Sequence, residues 1–273
     1  MPKPIVLVGS LDTKGIEFQF VRELIQEKGL DTTLVDFGVL GDPVVEADVS
    51  SEEVALAGGT SLAELRQKEN KTLAMRTMTD GLSKVVADLY AQGRLGGILG
   101  MGGGGGTSIA TAAMRGLPTG VPKLVVSTVA AGDVAHYVGT RDITMMPSVV
   151  DVAGLNSISR QIYANAAGAI AGMVSQEFEE PAEKKPLIAA SMFGNTTECV
   201  TRARGLLEDQ EYEVLVFHAT GTGGRTMEAL IADGFITASL DITTTELADE
   251  VCGGVLSAGP DRMLAAARAG IPR

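Results

Sequence analysis

Residues 97–108 read GILGMGGGGGTS: an apolar run that passes into five consecutive glycines and then a threonine and a serine. A strand that ends in glycine where a helix begins is the repeating joint of open α/β sheets, and ligands bind at that edge. Each glycine costs roughly 0.5–1 kcal/mol relative to alanine in regular structure. A plain turn uses one or two. A longer run lets the backbone approach a bulky anion and aim several N–H groups at it. Gly102, Gly103, Gly104, Gly105 and Gly106 are therefore expected to hold a phosphate, with Thr107 and Ser108 adding hydroxyls. A tight helix–strand crossing is the purely structural alternative.

The same grammar runs along the chain. Apolar runs at 5–8, 33–37, 123–127, 143–146, 187–191, 213–217 and 235–240 join 97–99 as buried parallel strands. Helical patterns lie between most of them, including Phe18, Val21, Leu24 and Ile25 before Gly29, and Leu82, Val85, Val86 and Leu89 before Gly93. A small-residue helix is expected over 156–176. Residues 38–70 break the rhythm and read as an insertion that caps a site, makes an interface or covers surface. The expectation is an α/β protein of two Rossmann-like, doubly wound domains with mostly parallel sheets. The charged, proline-bounded stretch EFEEPAEKKP, 177–186, places the boundary, giving domains 1–178 and 179–273. The second domain stops at Arg273 directly after a helix, where another strand should follow, and is expected to be incomplete.

Composition narrows the function. The 273 residues are 45% hydrophobic with 4% aromatics and no tryptophan, so the cores rest on Val, Ile, Leu, Ala and Met. A net charge of −12 repels nucleic acid and anionic lipid, so neither is an expected partner. A nucleotide remains compatible, because helix N-terminal N–H groups hold phosphate without net positive charge. Cys199 and Cys252 form no metal pattern and suit reduced thiols. No leader is expected ahead of PIVLVGS, and no apolar run approaches the roughly 18 residues of a membrane span. The expected location is the cytoplasm.

Three further turns stand at strand ends. Ser10, Asp12 and Thr13 follow the first strand, as ligand contacts or as helix caps. Ser127, Thr128 and Asp133 follow the fourth, with His136 just beyond. Thr220, Gly221, Thr222 and Gly223 follow the seventh, between His218 and Arg225. Asp241, Glu246 and Asp249 can be read as an Mg²⁺ group or as helix-capping residues. Asp36 ends the second strand, where a dinucleotide-binding fold keeps its ribose acid, but the first turn is not GxGxxG. No nucleophile elbow or HExxH occurs, and no catalytic base is assigned.

GSLDTKG at 9–15, GMGGGGGT at 100–107, STVAAGD at 127–133, MFGNTT at 192–197, FHATGTGGRTME at 217–228 and LDITTTELADE at 240–250 together resemble one family. It is the family of uncharacterised bacterial and fungal proteins related to the N-terminal region of the tomato mosaic virus resistance protein. The resemblance covers essentially the whole chain. It implies two Rossmann-like domains, ATP binding, a homodimer and relatives that run on past Arg273; the plant member binds a viral replication protein. The run GGGGT also resembles the GGDGT turn of phosphofructokinase-like and NAD kinases, with Gly105 at the place of the aspartate. The expected function is therefore binding of a nucleotide, ATP, with or without Mg²⁺, the second domain closing over it. The alternatives are an ATP-dependent phosphotransferase or ligase, an NAD-binding oxidoreductase, and an interaction scaffold.

Overall fold

The computed structural model describes residues 3–177 and 184–273. The chain divides into two compact units, 1–177 and 178–273. Most of the charged stretch read as the linker, 178–183, lies outside the described residues.

The first unit is built on a five-stranded, all-parallel sheet of order β2-β1-β3-β4-β5. The strands are β1 (Ile5–Gly9), β2 (Thr32–Asp36), β3 (Gly97–Gly102), β4 (Lys123–Ser127) and β5 (Thr144–Pro147). Their side chains alternate between two cores, as the pleat requires. Val6, Val8, Ile98 and Val125 face one core; Ile5, Leu7, Leu99 and Leu124 face the other. The first core is closed by α2 (Ser51–Ala57), α3 (Leu62–Lys68), α4 (Lys71–Ala91) and α5 (Gly104–Arg115). The second is closed by α1 (Leu11–Gln26) and α7 (Ser157–Ser175). A short α6 (Ala135–Val138) follows β4. Helices on both faces are why the strands read as unbroken apolar runs. Full burial of a side chain such as Phe18 contributes about 2 kcal/mol.

Local signals start the helices where they are found. Ser50 and Glu53 form a reciprocal capping box for α2, Asn156 and Ser159 do so for α7, and the Asn70 side chain accepts the Leu73 N–H at the start of α4. The segment read as an insertion thus carries α2 and α3. It is tied to the body where α2 and α4 cross. A β-carbon on Gly81 would lie 1.9 Å from the Val54 carbonyl oxygen, and one on Gly58 would lie 2.2 Å from that of Thr77. Glycine lets these two backbones touch.

The second unit has a three-stranded, all-parallel sheet of order β7-β6-β8. Its strands are β6 (Leu187–Met192), β7 (Glu213–His218) and β8 (Ala238–Leu240). A 3₁₀ turn at Gly194–Thr196 leads into α8 (Thr197–Glu208), which packs on one face with Ile188, Ala190 and Val214. On the other face α9 (Thr222–Ala232) and α11 (Ala265–Ala269) cover Ala189. Helix α10 (Thr245–Cys252) lies between β8 and α11 in the chain. Both units are therefore doubly wound α/β layers, and all eight expected strands are found. Among the described residues no helix is long and apolar enough to cross a membrane.

Candidate functional site

In the order β2-β1-β3-β4-β5 the chain reverses direction of travel between β1 and β3, and open α/β sheets bind ligands at that switch. The first-unit sheet places the turn after β1 and the glycine run after β3 side by side at that point. Between them and the insertion lies a cavity of about 710 Å³. Ser10, Asp12, Thr13, Gly105 and Gly106 all line it. Its body is apolar, with Phe37, Val39, Leu65, Met75, Met78 and Ile109, and its volume suits a small-molecule ligand.

The glycine run spans the end of β3 and the first turn of α5. None of Gly102–Gly106 has positive φ. Added β-carbons would meet only ordinary contacts: Thr128 at 3.6 Å from Gly103, Tyr137 at 3.7 Å from Gly104, Met75 at 3.7 Å from Gly105. Neither backbone conformation nor packing demands glycine here. The helix cap is Gly103, which has no side chain to offer, and the first-turn N–H groups of Gly104, Gly105 and Gly106 stand open. Thr107 and Ser127 are fully buried beneath the run, their hydroxyls 2.6 Å apart. They brace α5 against β4. Thr128 is exposed; its N–H donates to the Gly102 carbonyl at 3.2 Å, and it lines a second cavity of about 440 Å³ with Pro147, Ser148 and Asp151. Asp133 is exposed and accepts the Ala135 N–H at 3.0 Å, ahead of α6.

Two aspartates organise the other side of the cavity. Asp36 is buried, and its Oδ1 accepts the N–H groups of Leu11 at 2.9 Å and Gly38 at 2.8 Å. Burial pushes its carboxyl above the usual range, the two backbone donors oppose that, and neighbouring Asp12 adds to the rise. The acid read as a ribose partner is thus occupied in joining the start of α1 to the loop after β2. Asp12 reaches into the same loop, its Oδ2 accepting Leu40 N–H at 2.8 Å and Gly41 N–H at 3.2 Å. Its Oδ1 is buried and has no partner. Across the loop, Arg66 donates to the Val39 carbonyl at 2.9 Å and pairs with Asp42 at 3.3 Å. Arg66, Lys71, Met75 and Met78 were not legible as site residues. Arg66 sits on α3 of the insertion and Lys71, Met75 and Met78 on α4 directly after it, far in sequence from the turns after β1 and β3.

The turn after β7 looks alike in sequence and differs in physics. Glu246, from α10, is buried, and its Oε1 accepts Gly221 N–H at 2.7 Å and Gly224 N–H at 2.9 Å. An anion from the chain itself therefore occupies this helix N-terminus. A β-carbon on Gly224 would lie 2.1 Å from Glu246 Oε2, and one on Gly223 would lie 1.9 Å from the His218 carbonyl. Here glycine is a packing requirement. The Thr220 N–H donates to the His218 carbonyl at 2.8 Å, and Thr222 accepts from Arg225 at 3.4 Å. Glu246 Oε2 in turn pairs with buried Arg262 at 2.8 Å, which also holds Glu228 at 2.8 Å and Asp241 at 2.5 Å. Burial alone would lower the Arg262 pKa, but the Asp241 and Glu246 carboxylates outweigh it and hold the guanidinium charged. Asp249 accepts the Leu256 N–H at 2.7 Å. The acids weighed as an Mg²⁺ group are each engaged within the protein.

Residues 3–179 match the N-terminal domain of the uncharacterised protein family UPF0261, and residues 185–273 match its C-terminal domain. The chain belongs to the UPF0261 family. A UPF0261 protein of Clostridium tetani is 50% identical over 273 residues, covering 100% of this chain and 68% of that protein. A second, from Rhizobium meliloti, is 47% identical over 270 residues, 99% of this chain and 66% of the relative. The ToMV resistance protein Tm-1(GCR237) of Solanum lycopersicum is 35% identical over 288 residues, 98% of this chain and 38% of the tomato protein. The chain thus spans about two thirds of the length of these bacterial UPF0261 relatives.

Proposed function

We propose that the first unit binds a nucleotide, ATP, with its phosphates on the open N–H groups of Gly104, Gly105 and Gly106 and its base in the adjoining apolar cavity. The observation that carries this reading is a run of five glycines with no conformational or steric need for glycine, opening onto a cavity of about 710 Å³. Glycine kept at an entropic cost, where alanine would fit, is explained by something outside the chain that must come close. The end of α5 that faces the cavity is also the positive end of its dipole. Exposed, unpaired Cys199 and Cys252 suit a reducing compartment, and the cytoplasm is the place proposed.

A second reading, phosphoryl transfer from ATP, is favoured by the cavity of about 440 Å³ lined by Thr128, whose N–H bonds the Gly102 carbonyl at the start of the glycine run. It would admit an acceptor next to the phosphates.

Thermal unfolding with ATP, ADP, AMP, NAD, NADP and sugar phosphates, each with and without Mg²⁺, tests both readings. A ligand at about 100 times its Kd stabilises the folded state by roughly 2.7 kcal/mol. A rise in melting temperature with ATP is expected. A flat response across the panel refutes nucleotide binding. Release of ADP dependent on an added hydroxyl compound would favour transfer.

A further inference from the structure

We propose that Lys71 is the cation that recognises the terminal phosphates of a nucleoside polyphosphate in the first-unit cavity. This rests on the nucleotide reading above and adds the part of the ligand that the cavity selects.

Lys71 is the first residue of α4, directly after the Asn70 cap. The positive end of a helix dipole disfavours a cation there, and Asp or Glu is the favourable choice. No acidic residue stands in that first turn. The side chain is exposed and makes no hydrogen bond or ion pair among the described residues. A lysine so placed gains nothing from its own helix and nothing from a neighbour.

What it does share is the cavity. Lys71 lines the same space as Gly105 and Gly106, whose N–H groups are open. Arg66, the other cation of the lining, is committed to the Val39 carbonyl, the Gly41 carbonyl and Asp42. Asp12 and Glu69 line the cavity as well, so its charge without ligand is balanced. The protein as a whole carries −12, a field that repels a polyanion. Three or four ligand charges need a local cation, and Lys71 is the one left uncommitted in this lining. Its ammonium is a mobile point charge, suited to phosphates that extend past fixed backbone donors.

Titration calorimetry with adenosine, AMP, ADP, ATP and inorganic tripolyphosphate separates the possibilities, using the wild type, Lys71→Gln and Lys71→Arg. Affinity of the wild type is expected to rise from adenosine to ATP. Lys71→Gln should weaken ATP by roughly ten- to a hundredfold, the range of one charge-assisted contact, while adenosine changes by less than about twofold. Lys71→Arg should restore most of the loss. Melting of the unliganded protein serves as the folding control, because the exposed side chain carries no packing. Equal weakening of adenosine and ATP, or no weakening of ATP, overturns the role of Lys71 and leaves the cavity reading standing. A wild type that binds none of the five probes overturns both.

Discussion

Glu246 and Gly224 are in such close contact that the Gly224 N–H donates to Oε1 at 2.9 Å while a β-carbon on Gly224 would fall 2.1 Å from Oε2. The glutamate is an internal substitute for an anionic ligand. It accepts the N–H of the Gly221 cap and that of Gly224 in the first turn of α9, where the cap offers no side chain. Gly224→Ala must therefore expel the carboxylate or distort the turn. Urea unfolding should show a loss of at least about 2 kcal/mol, the scale of overpacking a tight site. A neutral substitution would mean that Glu246 moves freely.

Gly104→Ala carries the opposite expectation. Its β-carbon has room, with Tyr137 at 3.7 Å, and alanine favours helix. The unliganded protein should gain roughly 0.5 kcal/mol. The same methyl would stand among the open N–H groups of the glycine run, so the ATP-induced rise in melting temperature should shrink or vanish. An unchanged ATP response in a well-folded variant would move the phosphate elsewhere.

Among the described residues, Arg262 is the only positive charge paired with Asp241, Glu246 and Glu228. Replacing it with methionine leaves the three carboxylates without their cation, and the second unit should lose about 3–5 kcal/mol. Glu246→Gln keeps an oxygen for Gly221 and Gly224 while weakening one arm of the cluster, so a smaller loss of about 1–2 kcal/mol is expected. Chemical denaturation of both variants orders the two effects. Equal losses would show that the amide donors on Glu246 matter little.

Burial raises the Asp36 carboxyl above its ordinary value of 3.8, so the folded protein holds that proton more tightly than the unfolded chain does. The stability this contributes is complete below the unfolded pKa and is lost as pH rises through the folded one. Asp36→Asn keeps an acceptor for Leu11 and Gly38 and never ionises. Its melting temperature relative to wild type should therefore climb as pH rises above the ordinary carboxyl value of 3.8 and through the raised folded one. A difference that falls over that range would show that the ionised carboxylate is the stabilising form.

Much of the fold was legible because parallel strands buried on both faces leave long apolar runs, and each ends in a turn residue. β8 was read too long: Phe235 belongs to the turn that follows α9, where its N–H donates to the Leu230 carbonyl at 3.1 Å. The glycine run and Ser10, Asp12 and Thr13 were legible as one sheet edge. The buried Thr107–Ser127 pair was read as ligand contacts, since a strand-end hydroxyl looks the same in sequence whether it faces a cavity or braces the floor beneath it. Glu246 as the occupant of the β7 turn was not legible, because 25 residues separate it from Gly221 and no local pattern marks that meeting. Lys71 was missed for the same reason.

The backbone contact of Gly58 and Gly81 bears on how the cavity can adapt. Helices that touch main chain to main chain cannot slide without breaking the fit, so α2 and α4 move as one plate. The far wall of the cavity is then a fixed boundary, and the compliance lies in Met75 and Met78, whose unbranched thioether chains re-pack easily. Within this wall the pocket resizes by turning side chains. Differences in ligand among homologues should accordingly map to those two positions before they map to any hinge.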